Sequence, residues 1–152
     1  MKFMLIIKST KDSEAGVPPT TEQMTTMMTY HEEMQKAGVL LAAEGVHASS
    51  KGARVRFSGT KRTVIDGPFT ETKELIAGFW LIQARSKEEA IEWVKRFPNV
   101  WREDTEIEIR QVAEAEDFGP SFTPEVGAQL DRIHEEGAAQ EAKRRAQSAG
   151  AR

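Results

Sequence analysis

Three observations predict an α+β protein built on the ferredoxin-like βαββαβ plan with an extra hairpin. Two segments, residues 2–9 and 76–84, are apolar on both alternating faces, as strands buried on both sides are. Two stretches of helical periodicity fall between strand segments. ARVRFS and KRTVID alternate on either side of the turn Ser58-Gly59-Thr60, which adds a hairpin to the split βαβ order.

The first strand puts Phe3, Leu5 and Ile7 on one face and Met4 and Ile6 on the other. A polar loop with Gly16, Pro18 and Pro19 follows. Thr20 or Thr21 then caps a helix in which Met24, Met27, Met28, His31 and Met34 recur at helical spacing, and Gly38 ends it. Residues 39–46 read as the second strand, and residues 76–84 as the strand after the hairpin. Ser86, followed by Glu88 and Glu89, caps a second helix carrying Ala90, Ile91, Trp93 and Val94, which stops at Pro98. Residues 105–112 form the last strand, with Ile107 and Ile109 facing one way and Glu106, Glu108 and Arg110 the other. Two helices cover only one face of such a sheet. The doubly apolar strands therefore predict a homodimer in which an identical subunit buries the other face.

The composition changes after Val112, so the expected division is a domain over residues 1–112 and an arm and helix over residues 113–152. In the second part Thr123-Pro124 supplies a cap and first helical residue, and Val126, Leu130 and Ile133 make a narrow stripe. The expectation is that this helix docks on the body or on the partner subunit and that the chain beyond Gly137 frays into disorder.

Composition excludes several functions. A net charge of −3 gives no footprint for nucleic acid, and the absence of cysteine removes disulfides, thiolate metal sites and cysteine nucleophiles. The run FMLII is too short for a signal-peptide core and no apolar stretch is long enough to span a bilayer, so a cytoplasmic protein without membrane association is expected. Phosphate loops, dinucleotide fingerprints, Ser-His-Asp motif signatures and HExxH or HxH spacings are missing, so no cofactor and no metal are predicted.

The string DGPFTETKELIAGFWLI, preceded by AGVLLAAEGVHASSKGARVRF and followed by SKEEAIEWVKRFP and EIEIRQV, resembles the YCII-related proteins of the DGPF type over about the first three-quarters of the chain. The tail, with EAEDFG and FTPE, resembles the extension of one subgroup. The resemblance implies a bacterial dimeric α/β barrel in which two ferredoxin-like sheets close around a cavity. It also implies gene proximity to extracytoplasmic-function sigma factors, and distant relatives that are lyases or dehalogenases using a His-Asp pair.

Asp66 is the first candidate residue. An Asp before Gly ordinarily accepts a hydrogen bond from the amide two residues on, but Pro68 has no N–H. Its carboxylate either turns to the amides of Phe69 or Thr70 or stays free at the strand end. His47 follows the second strand and is a candidate acid/base partner for Asp66, or else a loop histidine. Glu44 interrupts the apolar run VLLAAEGV, so it needs a cavity or an ion pair. Glu71 and Lys73, in the connector after the motif, and Trp80, beside Gly78, complete the candidate ligand-binding set. Trp80 would wall a cavity or fill a dimer core, and Gly78 signals close backbone approach or a bulge. The cations Lys51, Arg54, Arg56, Lys61 and Arg62 concentrate on the hairpin, protecting its edge or attracting an anion. Two functions follow as expectations. One is a homodimer whose cavity binds a small anionic metabolite, with lyase or isomerase chemistry through Asp66 and His47. The other is a non-enzymatic sensing or protein-interaction module linked to sigma-factor regulation.

Overall fold

The computed structural model describes residues 1–101 and 104–150, and the chain divides into two compact units, Met1–Val112 and Ala113–Arg152. The first unit runs β1 (Lys2–Lys8), a short α1 (Lys11–Glu14), α2 (Thr21–Lys36), β2 (Leu40–Gly45), β3 (Ala53–Ser58), β4 (Lys61–Asp66), β5 (Ile76–Gln83), α3 (Lys87–Lys95) and β6 (Ile107–Gln111). Four strands form an antiparallel sheet in the order β2-β5-β1-β6, and β3 and β4 pair separately as the hairpin. Without the hairpin this is the ferredoxin-like α+β order, with β5 inserted between the two strands that α2 connects.

Alternation along the two central strands sets the layers. Phe3, Leu5 and Ile7 of β1 and Trp80 and Ile82 of β5 point to the side where Met27, Tyr30 and Met34 of α2 and Ala90 and Trp93 of α3 complete a buried core. The buried positions of α2 are spaced three and four apart, so one stripe of that helix faces the sheet. Met24 and Met28, read from sequence as part of that stripe, lie exposed instead. Tyr30 takes the buried place because its hydroxyl donates to the Trp93 carbonyl at 2.9 Å, which satisfies the one polar atom the ring carries inward.

Ala42 and Glu44, Phe79 and Leu81, Met4 and Ile6, and Glu108 and Arg110 alternate onto the other face of the sheet, where they are opposite one another across neighbouring strands. Neither α2 nor α3 packs there. The centre of this open face is apolar, and its β6 margin carries an ion network in which Glu108 meets Lys8 at 3.2 Å and Arg110 at 3.1 Å. Gly78 allows the β2–β5 pairing to close, since a Cβ at that position would stand 2.7 Å from the Glu44 carbonyl oxygen.

The second unit holds a 3-10 segment over Ala115–Ser121 and α4 over Pro124–Gly150. Phe118 and Phe122 stack with ring centres 6.0 Å apart, and the Thr123 hydroxyl accepts from the Val126 amide. The sequence reading has the chain fray after Gly137, whereas α4 continues to Gly150. The residues past Gly137 are mostly Ala, Gln, Glu, Lys and Arg, which lose little side-chain freedom in a helix and so carry it across the glycine.

Candidate functional site

The short α1 is fixed by reciprocal capping. The Thr10 hydroxyl accepts from the Ser13 amide at 3.1 Å, and the Ser13 hydroxyl accepts from the Thr10 amide at 2.8 Å. The helix ends on Glu14, whose carboxylate is turned to the loop after β2. There it accepts the Ser49 amide at 3.2 and 3.3 Å and the Ser49 hydroxyl at 2.6 Å. Because the Ser49 proton is committed to Glu14, its oxygen is left to accept, and it takes the Phe69 amide at 3.0 Å. One serine hydroxyl thus ties α1, the loop after β2 and the turn after β4.

The backbone of that turn is equally constrained. The Gly67 amide donates to the Gly52 carbonyl at 2.9 Å, and the Gly67-Pro68 peptide is cis. Any Cβ at position 67 would overlap the Ser49 carbonyl oxygen and stand 2.7 Å from its carbon, so only glycine fits.

Asp66 ends β4 opposite Ala53. Since Pro68 has no N–H and the Phe69 amide belongs to Ser49, the first of the two fates open to Asp66 loses its nearest donor. The carboxylate is exposed and has no side-chain partner among the described residues. His47 is exposed in the loop after β2, two residues before Ser49, and its ring also has no partner among the described residues. The fold brings the segment bearing His47 and the segment bearing Asp66 together through Ser49 and Gly67, while no hydrogen bond joins the two side chains.

The other candidates separate. Glu44 lies on the open sheet face opposite Phe79, exposed and without an ion-pair partner among the described residues. Glu71 pairs with Arg54 at 3.5 Å and accepts from the Thr70 hydroxyl at 3.1 Å. Hydrogen bonds from its own amide and from Thr70, with Arg54 adding to them, hold its carboxyl below the usual range. Lys73 is exposed in the 3-10 turn that follows. Trp80, read above as a cavity wall or dimer-core residue, instead fills the core of its own unit. It lies on the helix-covered face, with its indole N–H donating to His31 Nε2 at 2.7 Å. His31 is thereby placed as a packed, hydrogen-bonded residue, and burial pushes its pKa down from 6.5.

Sequence reasoning passed over Glu14 and Ser49. The Thr10-x-x-Ser13 spacing was the available signal for a capped turn ending at Glu14. A shallow depression of about 240 Å³ lined by Thr25, Thr29, Tyr30 and Arg96 contains neither Asp66 nor His47. Its threonine hydroxyls donate to carbonyls of their own helix. Among the described residues, no helix is long and apolar enough to cross a membrane, and no three acidic or histidine residues group to hold a metal ion.

An antiparallel sheet with helices on one face and a hairpin inserted between β2 and β5 defines an α+β protein of ferredoxin-like type. The family model for the YCII-related domain matches residues 1–116, and the chain belongs to that family. It is 33% identical to an uncharacterised protein of Rhizobium meliloti over 78 residues, which is 51% of this chain. The match spans 63% of that relative's length.

Proposed function

We propose that this YCII-related protein is a homodimer that binds a small anionic metabolite beside residues 66–69 and moves a proton on it, in lyase or isomerase fashion. The observation that carries the reading is the contact of Ser49 with the turn. It holds the Asp66 carboxylate and the His47 ring, neither with a partner among the described residues, on adjoining segments pinned by Glu14. Asp66 takes the proton from a carbon next to the substrate's carbonyl or carboxyl group, and His47 delivers a proton to the oxygen where charge develops. Lys73 on the connector and Lys51 beside Ser49 supply positive charge for the anion, while Glu44 faces the side of the sheet that a second subunit would close. The open face, with Met4, Ile6, Phe79 and Leu81 at its centre, supports the dimer.

Proton exchange tests this directly. A panel of 2-oxo carboxylates is incubated with the protein in D2O, and deuterium at the carbon beside the carbonyl is followed by NMR. Exchange catalysed by the wild type and lost in Asp66→Asn and His47→Gln is expected. No exchange above buffer for any member, together with unmoved Ser49 and Phe69 amide signals, refutes the reading. A second reading, a cytoplasmic sensing or interaction module that partners an extracytoplasmic-function sigma factor, draws support from the exposed apolar side of the hairpin. Under it, binding of a purified sigma factor encoded nearby survives Asp66→Asn, and failure to bind any such factor removes it.

A further inference from the structure

We infer that the depression between α2 and the chain after α3 is a binding site for a free amino acid, whose ammonium group is held on the α2 side and whose carboxylate is held by Arg96. It contains neither Asp66 nor His47, so it takes a ligand of its own beside the proton-moving site. Thr25, Thr29 and Glu33 of α2 line one side, Arg96 and Pro98 the other, and the buried Tyr30 lies at the bottom. The Gln23 side-chain amide donates to the Val100 carbonyl at 3.2 Å, which ties the start of α2 to the chain after α3 and fixes the groove. At about 240 Å³ the depression is smaller than the roughly 300–1,000 Å³ of sites for drug-sized molecules, and it suits a small metabolite.

The two sides differ in what they offer. The Thr25 hydroxyl donates to the Thr21 carbonyl at 2.9 Å and the Thr29 hydroxyl to the Thr25 carbonyl at 3.1 Å, so both protons are committed and both oxygens are left to accept. The Tyr30 hydroxyl is in the same state, since its proton goes to the Trp93 carbonyl. Together with the Glu33 carboxylate, the α2 side presents acceptors, which an ammonium with its three N–H groups matches. The opposite side presents a donor fork. The Arg96 guanidinium lies 4.5 Å from the Trp93 ring centre, and the ring supports its plane and leaves its N–H edge for a carboxylate.

The charges nearby along the two helices are already paired. Lys36 meets Glu32 at 3.8 Å, and Glu92, which also feels Arg96, meets Lys95 at 2.7 Å. Glu33 and Arg96 remain, each without an ion-pair partner among the described residues and not bridged to each other. Both act on the Tyr30 hydroxyl, whose pKa burial raises to about 12 while Arg96 pulls it down and Glu33 pushes it up. Opposite charges thus flank one buried hydroxyl without touching, and a molecule that carries both charges bridges them. A lone carboxylate or a lone amine satisfies only one side.

NMR of isotope-labelled protein tests this by following the Thr29 amide and the Arg96 Nε signals as the free amino acids are added, with β-alanine and γ-aminobutyrate for wider charge spacing. Acetate and methylamine are the single-charge controls. The expected result is a saturable shift of both signals by at least one amino acid, at a concentration where acetate and methylamine move neither. Arg96→Gln and Glu33→Gln, both at exposed side chains, are each expected to weaken that binding about tenfold or more, as loss of a charged hydrogen bond does, with the circular dichroism spectrum unchanged. No saturable shift from any member overturns the inference. Acetate or methylamine binding as tightly as the amino acids, or either variant binding as tightly as wild type, overturns it as well, because one half of the site is then idle. Proton exchange at Asp66 is read in a separate assay, so either site can fail without the other.

Discussion

Replacing Gly67 by alanine perturbs a point where the turn after β4 meets the loop after β2 backbone to backbone. The new Cβ overlaps the Ser49 carbonyl oxygen and stands 2.7 Å from its carbon, closer than Cβ contacts in real structures. Both neighbours are backbone, so neither can rotate away and the two segments must part. Overpacking of this kind costs about 1–3 kcal/mol. Parting also lengthens the Gly67-to-Gly52 bond of 2.9 Å and the Phe69-to-Ser49 bond of 3.0 Å, each worth about 1 kcal/mol. The total is about 3–5 kcal/mol, which lowers the melting temperature by about 12–20 °C for a unit of this size. Thermal unfolding followed by circular dichroism measures the shift, and hydrogen exchange at the Phe69 amide localises it. A Gly67→Ala protein that melts within about 2 °C of wild type and keeps Phe69 protected would show that the packing argument is wrong.

Gly137 gives the opposite sign, since a Cβ there meets nothing within 4 Å on α4, so Gly137→Ala should raise helicity and stabilise that helix by up to about 1 kcal/mol. Leu5, 1% exposed on a central strand, should cost about 2–5 kcal/mol on truncation to alanine, read from the urea midpoint. Burial pushes the Tyr30 hydroxyl, the chain's single tyrosine, from 10.0 to about 12. The neutral form is favoured in the folded state, so this stability is whole below pH 10 and is lost as pH rises toward about 12; ultraviolet titration with a midpoint at 10 would contradict it. For His31 the order reverses. Its folded pKa lies below 6.5, so the unfolded chain binds more protons and stability falls as pH drops from 6.5 through the folded value. The Trp80 indole N–H resonance should move with that titration, because protonation removes the acceptor at Nε2; a resonance that stays fixed while His31 titrates would refute the hydrogen bond as drawn.

The strand plan was legible because burial writes itself into period-two patterns. Phe3, Leu5 and Ile7 against Met4 and Ile6 say that both faces of β1 are apolar, and the sheet order follows from which strands are of this kind. Helix α2 was legible in extent but not in rotation. Four methionines and four threonines around its circumference give no sharp stripe, and Tyr30 could be inside only if its hydroxyl found the Trp93 carbonyl, a tertiary fact. The candidate site was half legible. Asp66 stood out through the proline two residues on, because the missing N–H is a local property. Glu14 and Ser49 did not, since each is an ordinary polar loop residue until the fold sets them 2.6 Å apart. Trp80 was misplaced for a related reason. Pattern identifies a doubly apolar strand, but only the neighbours of β5 decide which of its faces looks at α2.

The hairpin leaves and re-enters the sheet at adjoining points: Gly45 of β2 is opposite Gly78 of β5, and the Val46 amide donates to the Ala77 carbonyl at 2.8 Å. Everything between those points is an insertion whose ends are already closed by the sheet. Lengthening or rewriting it adds little loop-closure entropy, which grows only as the logarithm of length. The segment can therefore change length or sequence at little cost to the core. Excision of the insertion, with a tight turn joining β2 to β5, should leave a folded ferredoxin-like body that has lost Asp66 and His47 together. The fold thus carries residues 46–77 as one segment that can be exchanged whole without touching the core.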